Sequence, residues 1–292
     1  MTATASPLAE LSASFADLAA ATTPSIVEVQ SRHSLASGFA WRDGLVITPD
    51  ETLADEGSIE IEESDGTVRS ATLIGRDAAT DIALLRVEGL KAPTAALANL
   101  AVRPGALALI VAAADSAPLI AFGSIAAVGA AWQSMRGGTI DARIELDLRL
   151  RRRAEGGLAV DGAGGAFGMA VRGPRGRTLV IPAATIDRVA RQLLDHGRVQ
   201  IAYLGVGLKD VPLDDGGHGA MVMTLDRDSP AARAGLHQGD IILSWAGRRM
   251  PHVGALLRTL RATPIGTEVM LGVRRGGAPL DVAVTIGDRP ER

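Results

Sequence analysis

Between Ser25 and Pro182 the chain breaks into short apolar runs, rich in β-branched residues, that recur at roughly ten-residue intervals with glycine-bearing turns between them. That rhythm excludes a helical bundle and predicts paired barrels or sandwiches. The first series comprises SIVEVQ (25–30), SGFAWR (37–42), GLVIT (44–48), SIEIEE (58–63), RSATLIG (69–75) and DIALLRV (81–87). The second comprises ALALIVA (106–112), GSIAAVG (123–129), ARIELDL (142–148) and TLVIP (178–182). Asp43-Gly44 and Asp65-Gly66 favour tight hairpins, because glycine enters the left-handed backbone region without a steric penalty. Glycine numbers 34 among 292 residues, above the usual ~7%, which fits turn-rich β structure.

Helical spacing appears at two places in this β-rich stretch. Leu8, Leu11, Phe15 and Leu18 line one face of a short amphipathic helix near the start. In residues 182–197, Ile186, Val189, Ala190 and Leu193 share an apolar face, with Pro182 at the opening and Gly197 at the close. The expected organisation is therefore a helical segment (1–22), a β-rich domain ending in this helix (23–198), and a small C-terminal domain (199–292). The last has strands of its own, including GTEVMLGVRR and LDVAVTI.

Composition removes several function classes. With no cysteine, disulfides, thiolate metal sites and cysteine nucleophiles are excluded. Thirty basic against 33 acidic residues give a net charge of −3, which supplies no global drive toward nucleic acid or membrane surfaces. Aromatic residues at 3% are too few for a base-stacking platform. No apolar run approaches the ~18 residues of a membrane span. The start lacks a secretory pattern, so the expected compartment is the cytoplasm, or the periplasm if a leader precedes the chain. No cofactor is expected: DGAGGAFG (161–168) lacks the Lys-Ser/Thr of a phosphate loop and reads as a hairpin turn.

Longer motifs carry a resemblance. YLGV (203–206) resembles the carboxylate-binding loop of PDZ domains, and SPAARAGLHQGDIILSWAGR (229–248) is similar to a stretch of the PDZ domains in HtrA/Deg-type proteases. SDGTVRSATLIGRDAATDIALLRV (64–87) resembles the segment bearing that family's triad aspartate, and DHGRV (195–199) resembles its linker. The resemblance implies a mainly β fold, a chymotrypsin-like double β-barrel followed by an α+β PDZ domain, with roles in protein quality control. It also implies a trimer assembled through the segment around Phe15, or co-assembly with an active relative.

The catalytic positions depart from the family pattern. Thr48-Pro49-Asp50-Glu51 stands where the family reads Thr-Asn-Ala-His, so Glu51 replaces the general base. Asp81 keeps the aspartate position. Arg153-Ala154-Glu155-Gly156-Gly157 aligns with the Gly-Asn-Ser-Gly-Gly nucleophile loop and puts Glu155 at the serine; a slide to Gly164-Gly165 would put Ala163 there. No serine, threonine or cysteine lies between Arg149 and Gly165, and no histidine between His33 and His196. Acyl transfer needs a nucleophilic hydroxyl or thiol, a base, and oxyanion donors. The expectation is a pseudoprotease that binds peptides or protein C-termini.

Alternatives are an active serine endopeptidase, a cation site built from Glu51, Asp81 and Glu155, or carboxylate acid/base chemistry on another substrate. In the family geometry those three carboxylates converge, raising one another's pKa or recruiting a cation. Arg149, Arg151, Arg152 and Arg153 would either neutralise Glu155 and Glu51 or form an anion or acidic-partner site. In the PDZ-like part, Tyr203, Leu204, Gly205 and Val206 would hold a terminal carboxylate. Leu256, Leu257 and Leu260, on a helix over residues 252–262, would receive the apolar side chain, unless these leucines serve only the domain core.

Overall fold

The computed structural model describes residues 6–32, 34–213 and 216–290. The chain divides into two units, Met1–Val199 and Gln200–Arg292. His33 lies outside the described residues.

In the first unit, helix α1 (Pro7–Thr22) precedes six strands: β1 (Ile26–Ser31), β2 (Ser34–Arg42), β3 (Leu45–Thr48), β4 (Ile59–Glu62), β5 (Val68–Asp77) and β6 (Ile82–Val87). They close into a barrel in the order β1-β2-β3-β6-β5-β4. β7 (Leu107–Ala114) and β8 (Ala117–Gly129) open a second barrel. A small hairpin of β9 (Trp132–Gln133) and β10 (Thr139–Ile140) follows, then β11 (Arg143–Asp147), β12 (Leu158–Asp161), β13 (Ala166–Arg172) and β14 (Thr178–Pro182). This barrel runs β11-β14-β13-β12-β7-β8. Two closed barrels leave few open edges, which is how an all-antiparallel chain of this size avoids edge pairing.

The near-continuous apolar strands have a physical reason: several are buried on both faces. Along β6, Ile82 and Leu84 pack in a core shared by both barrels, while Ala83 and Leu85 fill the first barrel. Along β7, Leu109 and Val111 join the shared core, and Ala108, Ile110 and Ala112 fill the second barrel. Side chains two apart share a face, so each strand serves two cores at once.

Helix α2 (Ala183–His196) forms where the spacing predicts it. Ile186, Val189, Ala190 and Leu193 are buried in the shared core, and Gly197 ends the helix with φ 72° and an amide bond to the Leu193 carbonyl at 2.8 Å. Gly75 permits a close approach here, since a Cβ on it would lie 2.1 Å from the Gly197 carbonyl oxygen. By contrast, α1 has no buried residue: Leu8 is 75% and Leu11 45% exposed. Phe15 nonetheless meets Phe122 of β8 edge-on, with ring centroids 4.7 Å apart.

The second unit contains β15 (Ala202–Tyr203), β16 (Val206–Pro212), β17 (His218–Leu225), a one-turn helix α3 (Pro230–Arg233), β18 (Ile241–Trp245), β19 (Arg248–Arg249), α4 (Val253–Ala262), β20 (Glu268–Arg275), β21 (Ala278–Thr285) and β22 (Gly287–Asp288). Its main sheet runs β16-β17-β18-β20-β21, which leaves β16 at an edge. Leu204, Val222, Ile242, Trp245, Leu256 and Leu271 lie in its core. Ser229 caps α3 by accepting the Ala232 amide at 3.1 Å, and the His252 imidazole caps α4 by accepting the Ala255 amide at 3.1 Å.

Among the described residues of this unit, Asp240 is the buried charge. Arg275 donates to both its oxygens at 2.8 Å, and the His237 amide donates at 2.8 Å. The Arg275 bonds hold the Asp240 carboxyl below the usual carboxylate range. Asp240→Ala leaves Arg275 without its carboxylate, with only the Gly235 carbonyl still accepting from it, and the His237 amide without its acceptor, and is expected to destabilise this unit by about 3 kcal/mol. Hydrogen exchange of β18 and β20 in the full chain reads the effect; unaltered protection contradicts it.

Candidate functional site

The turn after β3 is a single 3-10 turn, Asp50–Thr52, held by a charge network. Asp50 is buried and pairs with the Arg76 guanidinium, which also donates to the Asp50 carbonyl at 3.2 Å and to Asp55 at 3.0 Å. This anchoring turns the Glu51 backbone inward and its side chain outward. The Glu51 amide donates to Asp81 at 2.8 Å, while its carboxylate, 58% exposed, faces Arg136 at 3.5 Å. Asp81 sits just before β6 in the left-handed region, with φ 58°. Burial pushes its pKa up to about 7; the negative charges of Glu51, Asp50 and Glu155 push the same way, and the Glu51 amide opposes them.

Glu155 lies between β11 and β12, at the end of a 3-10 turn, Arg152–Ala154. Its carboxylate accepts the Arg172 amide of β13 at 3.0 Å, and its carbonyl accepts the Ser37 amide at 2.8 Å. The loop amides are occupied within the protein. Ala154 donates to the Arg151 carbonyl at 3.0 Å and Glu155 to that of Arg152 at 3.3 Å, while Gly156 bonds Ala170 at 2.8 Å and Gly157 bonds Ala154 at 3.1 Å. Gly156 has φ 92°, and a Cβ there would fall 1.9 Å from the Ser37 carbonyl oxygen, so the loop is packed against β2 at this residue.

The charges of Glu51 and Glu155 both raise the Asp81 pKa, as expected of neighbouring carboxylates, but the three side chains are not joined by hydrogen bonds among the described residues. Asp81 takes the backbone of Glu51 rather than its side chain, and Glu155 is turned onto β13. Among the described residues, no group of three or more histidines and acids is gathered to hold a metal ion. The arginines also pair otherwise than expected: Arg153 forms its ion pair with Asp115 of the β7–β8 turn, and the cation facing Glu51 is Arg136. The hydroxyls of Ser37 and Thr48 are buried and committed. Ser37 donates to the Arg153 carbonyl at 2.8 Å, and Thr48 donates to the Ser37 carbonyl at 3.0 Å. His196 ends α2. Arg136, which reading by sequence missed, reaches Glu51 from the short β9–β10 hairpin.

In the second unit the YLGV turn leads into β16, with Leu204 and Gly205 buried and Tyr203 and Val206 half-buried. Gly205 has φ 78°, its carbonyl accepts the Asp226 amide at 2.8 Å, and the Leu204 carbonyl accepts that of Ala231 at 3.0 Å. The Tyr203 hydroxyl bonds Asp226. Among the described residues, the amides of Leu204 and Gly205 donate to no backbone acceptor. β16 leads from this turn along the sheet edge, and α4 begins beside it, where the Val253 amide donates to Asp210 of β16 at 2.6 Å. The helix face differs from expectation. Leu256 is 0% and Leu260 7% exposed, both in the core, whereas Leu257 is 37% exposed. Leu257 lies one turn beyond Val253, whose amide ties the start of α4 to β16, and the open leucine is Leu257 rather than Leu256.

The raised pKa of Asp81 has a stability consequence. The folded state holds the proton more tightly than the unfolded state, so the stabilisation is complete below the ordinary carboxylate pKa of 3.8 and is lost as pH rises through about 7. Asp81→Asn keeps an acceptor for the Glu51 amide and tolerates the positive φ. It is expected to match the native chain near pH 4 and to exceed its stability by about 2 kcal/mol near pH 8.5. Urea unfolding at the two pH values checks this; identical pH slopes contradict it.

Known proteins share this architecture. Residues 36–169 match the trypsin-like peptidase domain model and residues 202–286 the PDZ domain model. A probable periplasmic serine endoprotease, DegP-like, from Pseudomonas putida (strain W619) is 31% identical over 286 residues, covering 88% of this chain and 57% of the relative. Its counterpart from Halomonas elongata is 29% identical over 291 residues, covering 90% of this chain and 58% of the relative. The chain thus spans little more than half the length of these relatives, whose names place them in the periplasm and lend no support to the cytoplasmic expectation. Among solved structures, the serine endoprotease from Yersinia pestis is 25% identical with a TM-score of 0.74, covering 94% of this chain and 98% of that one. The HtrA-type protease AlgW with decapeptide is 22% identical with a TM-score of 0.76, covering 95% and 99%. Two barrels, an edge-strand domain with the YLGV turn, and these matches lead to one conclusion: the chain belongs to the HtrA/Deg-type family, with a trypsin-like peptidase domain followed by a PDZ domain.

Proposed function

We propose that this chain is a non-catalytic member of its family that captures peptide or protein C-termini through its PDZ domain, its two-barrel domain serving as a scaffold or regulatory subunit. The reading rests on the chemistry of two turns, where the family resemblance puts Glu51 and Glu155 at the positions of base and nucleophile. A carboxylate cannot replace the serine as a proton-relayed alkoxide, and no imidazole tautomer is available to relay the proton. Engagement of the Ala154, Glu155, Gly156 and Gly157 amides supports the reading further, since an oxyanion needs donors that point outward and are free. An active endopeptidase, as the relatives are named, would need a hydroxyl or thiol where Glu155 stands.

Peptide capture proceeds by strand addition. An extended C-terminus lies along the β16 edge, and its carboxylate accepts the Leu204 and Gly205 amides, with Gly205 allowing close backbone approach. Tyr203, tied to Asp226, braces the turn. The terminal apolar side chain enters between Val206 and Leu257, above a floor formed by Leu260. Assembly follows the family: Leu8, Leu11 and Phe122 are exposed apolar side chains, and Phe15, half-buried against Phe122, joins them in a surface suited to a trimer contact. The relatives' names favour the periplasm as the compartment.

A fluorescent peptide with a free apolar C-terminus is expected to bind, and its C-terminal amide, or the variant Leu257→Arg, to weaken binding tenfold or more, about 1.4 kcal/mol. Equal affinity of acid and amide contradicts the capture mechanism. Gel filtration with light scattering tests the scaffold: Phe122→Glu is expected to reduce a trimer to the 30.1 kDa chain. A native chain that already elutes as one copy overturns the trimer.

A further inference from the structure

One strongly charged feature has no part in the peptide-capture reading. The β7–β8 hairpin and the loop before Glu155 enclose an open cleft lined by Ala114, Asp115, Pro118, Leu119 and the run Arg151, Arg152 and Arg153. Arg151 and Arg152 are exposed and have no ion-pair partner among the described residues, and Arg149 is exposed close by in sequence. Arg153 is the exception, since it holds the Asp115 carboxylate. That pair supports mutual adjustment: the Arg153 guanidinium, charged throughout, holds the Asp115 carboxyl below its usual range.

We infer that this cleft is a docking site for an acidic, partly apolar peptide segment, separate from the PDZ groove and independent of a free C-terminus. Three observations select this ligand class. First, consecutive guanidinium groups at one wall present forked donors that match carboxylates, and the Arg153–Asp115 pair displays the same contact within the chain. Second, the β7–β8 hairpin adds Pro118 and Leu119 to the same lining, so a segment that alternates acid and apolar residues meets both kinds of contact. Third, the positive charge is local, because the whole chain carries −3; a concave, small basic site suits one polypeptide strand better than the broad face a membrane needs. A single exposed ion pair contributes little, so several must act together with the apolar residues, and binding weakens as salt rises.

Asp115 is an internal competitor for Arg153. It occupies a left-handed position, φ 53°, which asparagine tolerates, so Asp115→Asn removes the competing charge and keeps the turn. The test uses a fluorescein-labelled peptide of alternating glutamate and leucine with an amidated C-terminus, which the PDZ groove would not hold. Binding to the full chain is followed by anisotropy. The expected results are saturable, salt-sensitive binding, a loss of tenfold or more in the double variant R151E/R152E, and a gain of about threefold in Asp115→Asn. Leu257→Arg is expected to leave it unchanged, which separates this site from PDZ capture. No binding to the native chain, or equal binding to R151E/R152E, overturns the inference. So does arginine-dependent binding to phosphatidylglycerol vesicles without binding to the peptide, which would assign the cleft to a membrane surface.

Discussion

Ser37 is the joint on which the cleft between the barrels depends. It is completely buried, and every polar atom it carries is used across the structure. Its amide donates to the Glu155 carbonyl at 2.8 Å, its hydroxyl donates to the Arg153 carbonyl at 2.8 Å and accepts the Ala113 amide at 3.1 Å, and its carbonyl accepts the Thr48 hydroxyl at 3.0 Å. One strand of the first barrel thereby fixes a strand and a loop of the second. A buried polar group left without such partners would cost about 1–3 kcal/mol, so each of these bonds reinforces the loop position of the others. With Gly156 pressed against the same residue, the loop has no room to turn its amides outward without breaking that packing.

The chemistry of the cleft follows from this joint and from two side chains. The Asp50–Arg76 pair holds the turn after β3 so that the Glu51 amide, and not a ring nitrogen, meets Asp81. Across from it, Glu155 turns its carboxylate onto the β13 amide of Arg172. In the proposed account the residues that replaced base and nucleophile are structural: Glu51 holds Asp81 through its backbone amide, and the Glu155 carboxylate satisfies a strand amide. The PDZ turn, in the same proposed account, supplies what the loop before β12 does not, since the Leu204 and Gly205 amides donate to no backbone acceptor among the described residues.

Much of this was legible from residues alone, for physical reasons. Strands buried on both faces, such as β6 and β7, leave a continuous apolar signature, and glycine after aspartate marks their turns. The α2 face was readable because four apolar residues repeat at helical spacing and Gly197 supplies the left-handed ending. The β9–β10 hairpin was missed, since two-residue strands leave no alternation to detect, and with it went Arg136 as the partner of Glu51. Leu256 and Leu257 could not be separated by spacing, because both belong to an apolar face and only the position of β16 decides which one is open. Charge pairing was equally illegible: neighbours in sequence, Arg153 and Glu155, bind Asp115 and the Arg172 amide because the 3-10 turn between them points them apart.

The central claim is that no side chain of this chain attacks a carbonyl carbon. The most direct measurement exposes the native protein to a fluorophosphonate, which phosphonylates activated serines, and reads the intact mass while a parallel sample is incubated with casein. The account predicts an unchanged mass and undigested casein. A stoichiometric adduct on one serine together with casein cleavage would contradict it.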